Sequence, residues 1–154
     1  MRTFRDRLRT LREKMVRDPL PPEDVAAGWA LGVFVGFAVP FGLQLIVSVP
    51  LAMMMRVSKV GATVATFVTN PATVFFIYPA QTWVVYNLVF GNREMGELPT
   101  EWTRATVMSL SGPVIISFFL GGLALAMVFS PITYHVVKRI VVRHRRRRQG
   151  KQGK

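Results

Sequence analysis

Residues Gly28–Gln44 read G-W-A-L-G-V-F-V-G-F-A-V-P-F-G-L-Q, and this stretch decides the fold. Gly28, Gly32 and Gly36 recur every four residues, so on a helix they form one smooth groove for helix packing against another backbone. Pro40 and Gly42 then stop or turn the helix. Gln44 follows, a strongly polar side chain inside an otherwise apolar run. A plain membrane anchor needs none of these features.

Half of the 154 residues are hydrophobic (51%), yet the formal net charge is +12, and the two properties occupy different regions. Val25–Met55, Val60–Asn92 and Ala105–Val137 contain no Asp, Glu, Lys or Arg. Each run exceeds the ~20 apolar residues that cross a hydrocarbon core as a helix. A soluble domain of this length would place charges on the outer faces of its helices. The expected class is therefore an all-α integral membrane protein of one domain. Because the chain has no cysteine, disulfides, thiol catalysis and cysteine-held metals are excluded. Residues 1–24 mix basic and acidic side chains and lack the apolar core of a signal peptide, so insertion is expected through the internal segments.

Upstream, residues 1–18 read as a basic amphipathic helix. Phe4, Leu8, Leu11 and Met15 share one face, with arginines around the other, a pattern suited to an anionic membrane surface. Asp18-Pro19-Leu20-Pro21-Pro22 ends it, and Glu23 and Asp24 complement the start of the next helix. Residues 19–137 form the membrane domain. Unbroken, Val25–Met55 would make a helix of about 46 Å, too long for a ~30 Å core. Divided at Pro40–Gly42 it becomes a broken or re-entrant helical hairpin. In the second stretch, Asn70 suits an N-cap and Pro71 a first helical residue, so another break is expected there. Whether Val60–Asn92 spans or is itself re-entrant stays open. The third stretch carries a mild interruption at Gly112-Pro113 and runs into a basic cytoplasmic tail, 138–154.

Lys and Arg crowd both ends of the chain, which places both termini on the cytoplasmic side of a bacterial inner membrane. Three simple spans would separate the termini. A re-entrant first segment followed by about two transmembrane helices keeps them together and puts the loop carrying Glu94, Glu97 and Glu101 outside.

The run Gly28–Gln44, then Arg56-Val57-Ser58, then Asn70-Pro71-Ala72-Thr73 resembles a bacterial integral membrane family catalogued as a domain of unknown function. Its members show a Gly-spaced helix, a Pro/Gly break followed by Gln or His, and an Asn-Pro-x-Thr motif. The resemblance covers about Pro19 to Gly91, and Ser58 stands where the family pattern has Asn. It implies no established activity. Relatives that join this domain to glycosyltransferase domains imply a setting in envelope lipid or glycan pathways.

Two readings of the polar breaks stand side by side. Half-helices starting at Gly42–Leu43 and at Pro71 would present N-terminal dipoles to an anion, with Gly42, Gln44, Asn70 and Thr73 as ligand-binding residues. Alternatively, Gln44 and Asn70 only cap and brace the broken helices. The first reading gives a protein that binds, and translocates, an anionic lipid or lipid-linked envelope intermediate, working as a homo-oligomer joined through the glycine groove. The second gives a membrane scaffold or adaptor for an envelope-biosynthesis enzyme. No carboxylate lies inside any apolar stretch and no catalytic set is legible, so no enzyme and no cofactor is expected. His135 and His144 lack acidic company for a metal, and His135 reads as interfacial. The tail from Arg143 has no aromatic residue for base stacking, which favours lipid headgroups over nucleic acid.

Overall fold

The computed structural model of the chain describes residues 18–69, 71–90 and 104–152, together with Thr10, Glu13 and Arg17. Five helices cover most of them: α1 (Pro22–Ala38), α2 (Gln44–Met54), α3 (Lys59–Thr66), α4 (Pro71–Phe90) and α5 (Arg104–Gln152). No strand occurs among the described residues. Thr10, Glu13 and Arg17 are helical; the apolar face expected from Phe4 to Met15 lies outside the described residues.

α1 starts where the sequence favours a start, with Pro22 at its first position and Glu23 and Asp24 in its first turn. It ends at Val39, which is extended, because Pro40 has no N–H to continue the ladder. The chain reverses through Gly42, whose φ of 100° lies in the left-handed region open to glycine. α2 then runs 11 residues. It closes with Val57 N–H donating to the Ala52 carbonyl (3.0 Å) and Arg56 N–H to that of Met53 (3.2 Å). This pair of bonds forces Arg56 to a φ of 56°. Ser58 caps α3 by accepting the Gly61 N–H at 2.8 Å.

α1 and α3 run parallel with a constant offset, Gly28 against Ser58, Gly32 against Ala62 and Gly36 against Thr66. On its other side α1 runs antiparallel to α5. Glu23 meets Lys138, Ala30 meets Ser130, and Phe37 meets Phe129 and Gly122. α1 is thus enclosed, burying Val25, Trp29, Val33 and Phe37 in a cluster with Ala65 of α3 and Ala126, Val137 and Val141 of α5. α4 packs on the earlier part of α5, where the Tyr78 and Phe118 rings meet edge to face at 4.8 Å.

The second apolar stretch is divided like the first, into α3 and α4, with residues 67–69 outside either helix. The third differs from expectation. Gly112-Pro113 interrupts nothing, and α5 passes through both Pro113 and Pro131 as one helix of 49 residues, about 74 Å long. A proline removes one backbone bond, and the many remaining bonds of a long helix carry it through. Among the described residues, α5 is the one helix both long and apolar enough to cross a membrane.

Candidate functional site

Three polar clusters are built onto this frame. The first ties the two breaks together. Gln44 begins α2 with its side chain turned inward and 4% exposed. Its Nε2 lies within hydrogen-bond reach of the Gly36 carbonyl (2.9 Å), the Val39 carbonyl (3.1 Å), Thr69 Oγ1 (2.7 Å) and Tyr78 OH (3.3 Å). Two of these are carbonyls that can only accept, which fixes the amide with its NH2 toward them. Thr69 passes its own proton to the Gly36 carbonyl at 2.8 Å, and Tyr78 donates to that of Val39 at 3.3 Å. The end of α1, the start of α2, the α3–α4 break and α4 therefore share one knot. Four acceptors compete for the two hydrogens on Nε2, so the donors expected to meet a ligand are committed inside the protein.

Of the other residues singled out in the sequence, Gly42 sits exposed at the turn, with nothing within 4 Å of where a Cβ would stand. Thr73 donates to the Val68 carbonyl at 3.1 Å across the α3–α4 break, and Pro71 opens α4. Asn70 lies outside the described residues. Gly28, Gly32 and Gly36 face α3, and a Cβ on Gly28 or Gly32 would overlap the carbonyl oxygens of Ser58 or Ala62. α3 of the same chain fills the groove expected to join two copies, so that surface is not open to a partner.

The second cluster clasps the opposite end of α1. Asp18 accepts from Ser58 Oγ with one carboxylate oxygen and from Leu20 N–H (3.2 Å) with the other. Arg145 of α5 donates to the carbonyls of Asp18 and Leu20, both at 2.7 Å. Beside it, Lys138 Nζ stands 3.2 Å from Glu23 Oε1. A hydrogen bond from its own backbone N–H, and then the Lys138 ammonium, hold the Glu23 carboxyl below the usual carboxylate range.

The third cluster is a row of basic residues on α5. His135, Arg139, Arg143 and Arg146 recur at three- and four-residue intervals, Lys138 stands beside Arg139, and with Val142 they line a recess of about 600 Å³. Lys138 pairs with Glu23, whereas Arg139, Arg143 and Arg146 make no hydrogen bond or ion pair among the described residues. His135 Nδ1 lies 2.8 Å from the Pro131 carbonyl, so that nitrogen carries the proton when the two bond.

A further groove of about 510 Å³ opens between α4 and α5, walled by Phe37, Ile77, Val84, Leu125 and Phe129. Gln81 borders it, 5% exposed, donating weakly to the Phe118 carbonyl (3.4 Å), with Oε1 unpaired among the described residues. Among those residues no group of three or more His, Asp or Glu could hold a metal ion.

Sequence reasoning missed Thr69, Tyr78, Gln81 and the clasp of Asp18, Ser58 and Arg145. Asp18 reads as part of a helix breaker and Ser58 as a departure from a family pattern, because their contact joins positions forty residues apart. The row on α5 is legible only as spacing, which does not distinguish it from the four consecutive arginines at Arg145–Arg148 beside it.

An all-helical frame with one span-length helix and a basic end defines the class of protein. Residues 5–150 match the family model for uncharacterised proteins conserved in bacteria (DUF2062), and the chain belongs to that family. The match reaches well beyond the Pro19–Gly91 portion that carried the resemblance and takes in α5. No curated protein and no solved structure matches the chain.

Proposed function

We propose that this chain is a multi-pass protein of the bacterial inner membrane that binds an anionic lipid at its basic end and takes part in moving it. One observation carries the reading. Many apolar side chains of α5 lie on its outside, with Ile115, Ile116, Met127, Val128 and Ile132 each more than half exposed, and the same helix continues into arginines that have no hydrogen bond or ion pair among the described residues. Such a surface is stable against lipid tails and unstable against water. Its cationic end attracts anionic headgroups at the cytoplasmic face. In this placement α1 and α2 are a re-entrant hairpin, α3 and α4 together cross outward, α5 crosses back, and both termini are cytoplasmic. A chain this small encloses no lipid-sized path alone, so transport calls for a homo-oligomer. No enzymatic step is part of the reading.

The lipid contact is placed at Arg139, Arg143 and Arg146 rather than at Gln44, whose donors are internally committed. Mass spectrometry of co-purifying lipid tests this. Wild type is expected to retain anionic phospholipid, and Arg139→Gln with Arg143→Gln to lose most of it while keeping its helical content. Equal lipid in both would remove the site. A second reading, a membrane adaptor for an envelope-biosynthesis enzyme with no ligand of its own, is favoured by the knot at Gln44, which turns the polar breaks into internal braces. It predicts an enzyme that co-purifies equally with both variants.

A further inference from the structure

The row on α5 has a direction. Val128, Ile132 and Val136 are exposed and follow one another at four-residue intervals, and Arg139 and Arg143 continue the same face three and then four residues on. An apolar track thus leads straight into guanidinium groups. An acyl chain laid along the track delivers its headgroup to the recess, where forked N–H donors suit the several oxygens of a phosphate. Of the cations lining that recess, Lys138 already has an anionic partner, and the partner is Glu23 of α1, itself about half exposed.

We propose that the recess from His135 to Arg146 is a binding site for the phosphate of an anionic membrane lipid, and that Glu23 is its built-in competitor, holding Lys138 until the phosphate displaces it. This rests on the lipid-binding reading above and adds a determinant on another helix. Displacement also releases one of the ties that hold the start of α1 to α5, so headgroup binding is coupled to the α1 end of the hairpin. The Asp18–Ser58–Arg145 clasp stays in place, because it uses carbonyls and a separate arginine.

The test uses the full chain in nanodiscs of neutral phosphatidylcholine, with phosphatidylglycerol titrated in and binding read by native mass spectrometry. Removing an exposed competing charge in Glu23→Gln is expected to raise affinity about two- to fivefold. Arg139→Gln with Arg143→Gln is expected to lower it about tenfold or more. The gain from Glu23→Gln should vanish in a Lys138→Gln background, and thermal midpoints of each variant check that the fold is kept. A gain that survives without Lys138, or an affinity unchanged by Glu23→Gln while the arginine variant still loses binding, overturns the competitor and leaves the lipid site standing. No preference of wild type for phosphatidylglycerol overturns both. Inorganic phosphate that displaces the lipid at equal concentration overturns the apolar track as part of the site.

Discussion

The α1–α3 contact and the α4–α5 contact are both helix pairs with small residues at the seam, and they are finished to different degrees. Between α1 and α3 the backbones touch through Gly28 and Gly32, and the polar groups at the far end of the pair are joined in the knot around Gln44. Between α4 and α5, Gly121 lets α5 approach the Gln81 backbone, but Gln81 Oε1 and Ser117 Oγ are buried without partners among the described residues. A groove lies open beside them, and Phe75, Phe76 and Leu88 of α4 are largely exposed. The first pair is a closely packed brace. The second is the softer joint, where a helix can shift without breaking a satisfied network.

The comparison breaks most decisively at Gly32. A leucine there must displace the Ala62 backbone, so Gly32→Leu is expected to prevent folding, and Gly32→Ala to cost about 1–3 kcal/mol. Thermal unfolding in detergent measures both. Phe76→Ala on the exposed face of α4 should stay within about 0.5 kcal/mol of wild type in the same assay. A tolerated Gly32→Leu would show that the α1–α3 seam is looser than its geometry.

Two glutamines sharpen the contrast. Gln44→Leu removes the hub of a satisfied network and should cost about 1–2 kcal/mol. Gln81→Leu removes a group that is only partly satisfied and should be neutral or slightly stabilising. Both are read as shifts in unfolding midpoint, and equal losses at the two positions would erase the distinction drawn between the seams.

The smallest effect concerns the clasp at the start of α1. The Glu23 carboxyl is held below its ordinary range in the folded chain, so its contribution is present above the unfolded carboxylate value and is lost as pH falls through the lower folded value. Stability measured from neutral to acidic pH should therefore fall slightly less in Glu23→Gln than in wild type, and raised salt should shrink the difference. A difference that persists in high salt would mean that the pair is shielded from solvent.

Much of the frame was legible in the chain. Pro40 and Gly42 placed the first turn, Pro71 placed the start of α4, and the absence of charge from Ala105 to Val137 placed a span-length helix. These are local effects: a missing N–H, a permitted φ, a run of apolar side chains. Gly112-Pro113 does not interrupt α5, because proline's local penalty is outweighed by the other backbone bonds of a long helix. The candidate site was less legible. Gln44 stood out as polar in an apolar run, but polarity is the same whether an amide meets a ligand or its own chain. Only the folded arrangement brings Gly36, Val39, Thr69 and Tyr78 around it.

Which segments are apolar, where the first two break and which end is basic can be read along the chain, because those properties belong to single residues and their near neighbours. That α3 of the same chain fills the glycine groove emerges only with the packing of the helices. Packing also sets Glu23 against Lys138 and leaves Arg139, Arg143 and Arg146 without a hydrogen bond or ion pair among the described residues. Each of these is a choice among partners far apart in the chain, and packing makes that choice, since a donor or a groove accepts any partner of the right shape and charge.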